Sequence, residues 1–181
     1  GNAQKRERLI TVGIRDDLKD KTTFDFPIPH DYKPVLRDVL KDVPDSVGTP
    51  YGDKKRKLFV FVPPGGYWRD IDPKLAKEYM KSCWNMGGGR TGILRRMSMD
   101  EPSLTVLTSP SQKQTERCHP LEARPFTIRE NARIQSFPDD WKFCGSIMSM
   151  YKQIGNAVPV NLAYDVATEL YRSLEGVVKW N

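Results

Sequence analysis

The sequence predicts an α+β fold, and three kinds of pattern along the chain support that prediction. A continuous apolar run at 9–14 indicates a strand, and two more β-prone runs stand at 58–62 and 104–108. Apolar residues also recur at helical spacing in four segments, which cover 34–43, 72–80, 127–137 and 159–174. Fourteen prolines and 13 glycines in 181 residues predict many turns between these elements.

Composition and charge exclude some classes of protein. No run of about 18 apolar residues occurs, so no membrane-spanning helix is predicted, and the absence of a charged-then-apolar N-terminus argues against secretion. Three cysteines do not indicate a disulfide scaffold. Residues 21–115 hold 16 basic and 11 acidic side chains and so carry most of the net charge of +6. That excess indicates either a polyanionic partner or merely a soluble basic surface.

The first predicted elements are a strand, a loop and a helix. The run at 9–14 is apolar on both faces, which predicts a fully buried strand that needs neighbouring strands. Prolines interrupt the segment 24–34 and predict a loop there. Pro34 then opens a helix that Pro44 ends.

The next predicted elements are a strand with a basic lead-in and a capped helix. The basic run 54–57 precedes the strand predicted at 58–62 and is either a solvated turn or a set of phosphate contacts. Asp72 and Pro73 form an N-cap and first-turn pair that starts the following helix.

A glycine- and arginine-rich stretch at 85–96 is predicted to be irregular. Residues 87–92 match G-x-G-x-x-G, but no strand precedes them and no acidic residue follows at the spacing that a dinucleotide site needs. The alternatives are a solvated loop and a loop whose arginines reach base edges or phosphates.

The last two helices have clear start signals. Thr127 and Glu130 match a capping box, which predicts a helix that stops before Pro138. Pro159 opens the final helix, whose apolar stripe is Leu162, Val166, Leu170 and Leu174. Gly176 is a plausible C-cap for it.

Cysteine and histidine residues do not predict a metal site. Cys118 and His119 are adjacent, but the chain has no C-x-x-C and only one other histidine, so zinc binding is not expected. Cys83 and Cys144 are predicted to be buried structural thiols.

Three polar residues near the N-terminus alternate along the chain. Gln4, Arg6 and Arg8 would face one side of an extended strand. Three convergent donors at the mouth of a buried strand are costly unless they meet an anion or a polar ligand. The other interpretation is a charged entry to a strand.

Three segments together resemble DNA (cytosine-5) methyltransferases. Residues 4–14 resemble motif VIII, residues 117–141 look like motif IX, and residues 151–160 look like motif X. They stand in the order that this family has, with the basic stretch at the place of its variable target recognition domain. Thr105 and Val106 resemble the recognition dipeptide of that domain.

The chain also departs from the family pattern. The cofactor loop Phe-x-Gly-x-Gly, the Pro-Cys nucleophile and the Glu-Asn-Val acid are absent, and Glu130 with its two following residues lies inside the motif IX helix. The resemblance therefore implies the C-terminal part of a doubly wound α/β S-adenosyl-L-methionine-dependent methyltransferase plus a small mixed α/β recognition domain, catalytically incomplete by itself. The predicted parts are 1–20 for the end of the catalytic domain, 21–115 for the recognition domain, 116–145 for a motif IX brace and 146–181 for motif X with the final helix.

The resemblance assigns expected roles to several groups of residues. Arg8 would hold O2 of a flipped cytosine, Arg6 would contact the target nucleotide or nearby backbone, and Gln4 would position them. The predicted contacts to S-adenosyl-L-methionine are Asn156, Ala157 and Val158. The predicted DNA-reading residues are Arg90, Arg95, Arg96, Thr105 and Gln112, with Lys54, Lys55, Arg56 and Lys57 as phosphate anchors. The motif IX arginines are expected to be structural ion-pair partners: Arg124, Arg129 and Arg133.

Partners and alternatives follow from the same resemblance. The expected partners are double-stranded DNA and a polypeptide or domain that carries the Pro-Cys half, with no membrane. The family implies a bacterial restriction–modification system, and hence a cytoplasmic, nucleoid-associated protein. The alternative is a non-enzymatic DNA-binding fragment or regulatory module. A nuclease or another methyl-transferring enzyme would need paired carboxylates or a metal motif, and neither is found.

Overall fold

The computed structural model describes residues 2–110 and 112–178. Within these residues the chain forms two very short strands and six α-helices, joined by long connections. The strands are β1 (Gln4–Lys5) and β2 (Ser103–Leu104). The helices are α1 (Leu36–Val39), α2 (Asp53–Phe59), α3 (Pro73–Met80), α4 (Ile128–Ile134), α5 (Ile147–Asn156) and α6 (Val160–Leu174). Three single-turn 3₁₀ helices cover Trp68–Asp70, Lys81–Asn85 and Lys113–Thr115.

The sheet is smaller than the sequence predicts. β1 and β2 pair in parallel with Gln4 opposite Ser103, so the strand predicted at 104–108 is reduced to the start of that run. The strand predicted at 9–14 is wrong, because these residues form no strand and the side chain of Leu9 is 93% exposed. A strand buried on both faces needs neighbours for its backbone groups, and no other described segment pairs with this one.

Helix α2 replaces the strand predicted at 58–62. The basic run is helical because Asp53 lies in the first turn and lysine, arginine and leucine favour the helix. Phe59 and Val62 are buried three residues apart, whereas Val60 and Phe61 between them are exposed. That spacing belongs to a helix followed by a turn rather than to an alternating strand.

The predicted helix starts at 72 and 127 are confirmed. The Asp72 carboxylate accepts a hydrogen bond from the backbone N–H of Lys74 at 2.7 Å and thus caps α3. At α4 the Glu130 carboxylate accepts from the Thr127 N–H at 2.7 Å, and the Thr127 hydroxyl accepts from the Glu130 N–H. The helices expected after Pro34 and Pro159 also form, the first one shorter than predicted.

Buried residues separate into two cores. The first core contains Tyr51, Phe59, Val62, Trp68, Ile71, Ala76, Met80, Ile93, Leu94 and Cys118. The second core contains Leu36, Met97, Val106, Phe126, Ile128, Ala132, Ile134, Tyr151 and Ile154. The predicted recognition segment 21–115 therefore contributes residues to both cores.

A close backbone approach joins the second core to the segment after β2. A Cβ atom on Gly155 would lie 2.7 Å from the carbonyl carbon of Leu107 and from the backbone nitrogen of Thr108. Only glycine lets the end of α5 pack this tightly against the chain.

Helix α6 has no buried residue. In its predicted apolar stripe, Leu162, Val166 and Leu174 are half-buried and Leu170 is exposed. After the C-cap residue Glu175, Gly176 takes a positive φ of 76° and closes the helix, as a glycine at this position is expected to do. None of the helices in the described part of the chain is long and apolar enough to cross a membrane.

Candidate functional site

A groove lies between the N-terminal segment and the start of α6. It has a volume of about 490 Å³. Its residues come from both ends of the chain and include Gln4, Arg6, Arg8, Ala157, Val158, Leu162, Val166 and Leu170. This groove is thus lined by two groups of residues that are predicted to be functional from the sequence. The two groups are 130 or more positions apart in the chain. Asn156 ends α5 beside the groove and is exposed, but it is not part of the lining.

Gln4 is buried and uses its whole side-chain amide. Its Oε1 accepts a hydrogen bond from the Val106 N–H at 2.7 Å, and its Nε2 donates to Oε1 of Gln135 at 2.8 Å. These two bonds support a role for Gln4 in holding its neighbours in place. They do not support a role as a free donor that points into the groove.

Gln135 continues this connection to the end of α5. It is fully buried, and its Nε2 donates to the carbonyl of Ile154 at 2.9 Å and to that of Ala157 at 3.4 Å. The two glutamines therefore join the segment after β2 to the groove wall. We call this chain of hydrogen bonds the glutamine bridge. The sequence analysis missed Gln135, although a polar residue in register with the buried face of α4 is the signal that marks it.

The two arginines of the groove differ in their freedom. Arg6 donates from Nη1 to the carbonyl of Gly155 at 2.9 Å, and burial, with the charge of Arg8, lowers the pKa of Arg6. Arg8 is exposed, and its Nη1 donates to the carbonyl of the adjacent Glu7 at 2.6 Å. Arg8 is therefore the charged donor of the groove that can turn toward a ligand.

The groove suits one end of a small organic cofactor. Its volume lies within the range of typical ligand pockets, and its wall is mostly apolar with a few polar groups. Ala157 and Val158 add apolar surface to this lining, and Arg8 adds a charged donor.

The basic run of α2 borders a second, wider depression of about 1000 Å³. Lys54 and Lys57 line it and have no ion-pair partner among the described residues. Arg56 pairs with Asp53 within the helix at 3.0 Å. The four residues predicted as phosphate anchors thus lie in different environments.

Lys55 is committed to a buried carboxylate. Its Nζ lies 2.6 Å from Oε1 of Glu116, a side chain that is completely buried. The Tyr79 hydroxyl donates to the same oxygen at 2.7 Å, and the Leu94 N–H donates to the other at 2.5 Å. The position of Lys55 supports a role in folding the first core.

Replacing Lys55 with methionine is expected to destabilise the chain by about 2 kcal/mol, because the buried Glu116 carboxylate loses its cation but keeps two donors. Urea unfolding followed by circular dichroism measures the change. Lys54→Met is the matched control, since Lys54 is exposed and is expected to alter stability by less than about 0.5 kcal/mol. Equal stability of both variants would contradict the assignment.

The arginines predicted to read DNA are not equivalent. Arg96 is buried, and its guanidinium donates to the carbonyls of Phe59 at 2.8 Å and Pro120 at 3.3 Å, so its position does not support base reading. Arg90 is half-buried over the Trp68 ring and donates to the carbonyls of Cys83 and Trp84.

The remaining predicted DNA-reading residues keep partly or fully exposed surface. Arg95 is half-buried over the Tyr67 ring, at 5.6 Å from the ring centroid. The Thr105 hydroxyl donates to the carbonyl of Lys5 at 3.2 Å, which ties the predicted recognition dipeptide to β1. Gln112 is exposed.

The arginines of the segment that resembles motif IX hold loops in place. Arg124 forms a two-bonded ion pair with Glu130, with N–O distances of 2.7 and 2.8 Å. Arg133 pairs with Asp139 at 2.6 Å and also donates to carbonyls at 39–42. Arg129 donates to two carbonyls instead of a carboxylate. The expected structural role fits all three, although Arg129 forms no ion pair within the described residues.

His119 is buried beside Glu130 and accepts two backbone hydrogen bonds at Nδ1, from Leu121 and Glu122, each at 3.2 Å. These bonds need an unprotonated Nδ1. Burial lowers the pKa of His119. Burial alone would raise the pKa of the Glu130 carboxyl group. The hydrogen bonds that this group accepts from Arg124 and the Thr127 N–H outweigh burial and hold the pKa of Glu130 below its ordinary value.

Acid is expected to destabilise this cluster. Because the folded chain binds the His119 proton less readily than the unfolded chain, stability is lost as the pH falls below about 6.5, and further as Glu130 protonates below about 4.5. The Tm should therefore fall between about pH 7.5 and pH 5.5. His119→Gln should flatten that fall. An unchanged slope in the His119 variant would contradict this prediction.

The three cysteines do not form a reactive centre. Burial raises the pKa of Cys118 to about 12, so its thiol stays protonated. Cys83 is half-buried, and Cys144 is exposed, so the expectation of a buried thiol is wrong for Cys144. Among the described residues, no group of three or more possible ligands could hold a metal ion.

Comparison with known proteins gives consistent matches. The family model described as C-5 cytosine-specific DNA methylase matches residues 1–172. The Type II methyltransferase M.Sau96I of Staphylococcus aureus is 59% identical over 95% of this chain and 40% of its own length. M.PspPI of Psychrobacter sp. strain TA137 and M.Eco47II of Escherichia coli are 52% and 50% identical, each over 97% of this chain and 44% of their own lengths. The chain thus spans less than half the length of these relatives.

Proposed function

The chain belongs to the C-5 cytosine-specific DNA methylase family, and on that premise we propose that it recognises DNA and contacts the target base and the cofactor in a DNA cytosine-5 methyltransferase. The cofactor is S-adenosyl-L-methionine. The carrying observation is the groove, which Arg8, Ala157 and Val158 line together with residues of α6. The names of the relatives support a Type II restriction–modification system. We place the protein in the bacterial cytoplasm, in association with the nucleoid.

The open side of the groove supports the proposal that this chain is one part of the enzyme. Helix α6 buries none of its residues, and the apolar run at 9–14 is also largely exposed. Uncovered apolar surface of this extent marks a docking face. We propose that the catalytic part with the Pro-Cys nucleophile covers this face, adds strands beside 9–14 and completes the doubly wound sheet. The chain by itself is then inactive in methyl transfer.

The residues of the groove have distinct tasks in this proposal. S-adenosyl-L-methionine supplies the methyl group when it is bound. Ala157 and Val158 exclude water on one side of it, and Asn156 lies at the adjoining end of α5. Arg8 donates to the flipped cytosine and stabilises negative charge on its ring. Arg6 and Gln4 keep this segment in place through their bonds to Gly155 and Gln135.

We assign DNA contacts to the surroundings of the first core and to Thr105 on the segment after β2. Lys54 and Lys57 on α2 are the phosphate anchors with free charges, and Thr105 and Gln112 lie on segments that can reach base edges. Arg90 remains a candidate, with part of its donor capacity used by carbonyls.

A second candidate function rests on the completeness of the first core. Nine of its ten members come from 51–94 and the tenth is Cys118, so the recognition part supplies almost all of a hydrophobic core of its own. The chain could therefore serve as a DNA-binding or regulatory module that performs no chemistry. The two functions differ in one observable, which is methyl transfer after the catalytic part is added.

Selection from a randomised pool of DNA duplexes tests the recognition role. At near-physiological salt, where non-specific phosphate binding is weak, we expect enrichment of a short motif that contains cytosine. Lys54→Gln combined with Lys57→Gln should weaken binding to all duplexes alike and leave the selected motif unchanged. Binding without any enrichment would contradict sequence recognition by this chain alone.

A further inference from the structure

Arg95 and Arg117 are cross-strand neighbours. The chain forms an isolated parallel bridge between Arg96 and Cys118, in which the Cys118 N–H donates to the carbonyl of Arg95 at 2.9 Å and the Met97 N–H donates to the carbonyl of Cys118 at 3.0 Å. Arg96 and Cys118 both point into buried surroundings. Because side chains alternate along extended segments, Arg95 and Arg117 lie side by side on the opposite face.

Neither arginine of this pair has a carboxylate partner among the described residues. Arg117 donates from Nη1 to the carbonyl of Glu116 at 2.9 Å, and the Nε atoms of both arginines are buried without an acceptor. The Glu116 carboxylate is occupied in the first core by Lys55. Burial and the charge of Arg95 lower the pKa of Arg117, which agrees with two close positive charges.

Two like charges at directly opposed positions destabilise a strand pair unless a counter-charge joins them. The location of this pair indicates where the counter-charge comes from. Arg117 borders the crevice that also contains Val106 and Leu107, next to the predicted recognition dipeptide. Arg95 extends over the Tyr67 ring.

We propose that Arg95 and Arg117 clamp one phosphate group of the bound DNA, an inference that rests on the proposed DNA-recognition function. A phosphate neutralises both guanidinium groups and offers acceptor oxygens to their terminal N–H donors. A guanine edge offers acceptors but no charge, so it leaves the repulsion in place. In this proposal Arg95 contacts a DNA phosphate instead of reading a base. Arg117 joins the set of residues that contact DNA.

Binding of a random-sequence duplex over a salt series tests the clamp. Arg117→Gln and Arg95→Gln should each lower affinity about tenfold and reduce the slope of log affinity against log salt by about 1. The enriched motif should stay the same. Arg117→Lys should retain most of the affinity, since a phosphate accepts a point charge. Arg172→Gln, an exposed arginine on α6, is the matched control and should behave like the unaltered chain.

Each outcome decides between distinct alternatives. If the unaltered chain binds DNA and the Arg95 and Arg117 variants bind like Arg172→Gln, the clamp is wrong and the recognition function stands. If the variants relax the selected motif at one base pair, the pair reads a base rather than a phosphate. Thermal melts of the variants verify that loss of affinity does not come from unfolding.

A titration with inorganic phosphate keeps the inference testable even if the chain binds no duplex. We expect saturable shifts of the Nε–Hε NMR signals of Arg95 and Arg117, with no shift for Arg172. Failure to bind any duplex would count against the proposed function, whereas absence of these phosphate shifts would overturn the clamp itself.

Discussion

Replacing Gln135 with leucine is expected to lower the free energy of unfolding by about 3 kcal/mol, because two buried hydrogen bonds and a partly buried third are lost. The leucine fits the buried space but leaves Nε2 of Gln4 and the Ala157 carbonyl without these bonds, whereas the Ile154 carbonyl still accepts from the Ala157 N–H at 3.2 Å. Unfolding by urea, followed by circular dichroism, measures the change. Hydrogen exchange should also show faster opening at Val106 and Ala157, the two ends of the glutamine bridge.

A matched substitution and a double-mutant cycle separate the bridge from general packing. Gln114→Leu, at an exposed site, should change stability by less than about 0.5 kcal/mol. Gln4→Leu combined with Gln135→Leu should cost clearly less than the sum of the single changes, since each substitution removes the partner of the other. Full additivity would show that the two glutamines do not act as a unit.

The second large effect concerns Arg8. In an enzyme completed by a polypeptide with the Pro-Cys half, Arg8→Ala should lower kcat/KM for methyl transfer by about 10²- to 10³-fold, the usual cost of losing one fixed donor to developing charge. The reason is that Arg8 is the exposed guanidinium of the groove, with only a neighbouring carbonyl as its present partner. The measurement is transfer of a labelled methyl group to duplex DNA.

The control for Arg8 is another exposed arginine of the same N-terminal segment. Arg15 pairs with Asp17 and does not line the groove, so Arg15→Ala should leave methyl transfer within about twofold of the unaltered chain. DNA binding by the Arg8 variant in the absence of the catalytic part should also be nearly unchanged. An Arg8 variant as active as the Arg15 variant would remove Arg8 from the target-base site.

Features decided by a few neighbouring residues could be predicted from the sequence. The caps at Asp72 and Thr127 need only a side chain and the backbone N–H groups two or three positions away. The prolines before α1 and α6 act through their own fixed φ. These starts could therefore be identified without knowledge of the rest of the fold.

Features that depend on distant partners could not be predicted. The run at 9–14 has the composition of a buried strand, but the described chain offers it no neighbour to pair with. The run at 58–62 has high β-propensity, yet burial of Phe59 and Val62 in the first core favours a helix and a turn. Tertiary packing overrides local preference in both segments.

The sequence predicted which residues line the candidate site better than it predicted the role of each residue. The alternation of Gln4, Arg6 and Arg8 indicated a convergent polar group, and all three line the groove. Their partners differ: Gln4 bonds to a buried glutamine and Arg6 to a backbone carbonyl, each more than 100 positions away, whereas Arg8 bonds to the carbonyl of its neighbour Glu7. For the same reason Arg96 and Lys55 were expected at the DNA but lie in the protein interior.

Methyl transfer by the chain with and without the proposed catalytic part tests the central claim most directly. The chain is mixed with duplex DNA, labelled S-adenosyl-L-methionine and, in one arm, the N-terminal part of the 59% identical relative, which supplies the remaining length of such an enzyme. The account predicts no labelled DNA from the chain alone and labelled cytosine once both parts are present. Labelling by the chain alone, or none from the two parts after each is shown to be folded and associated, would contradict it.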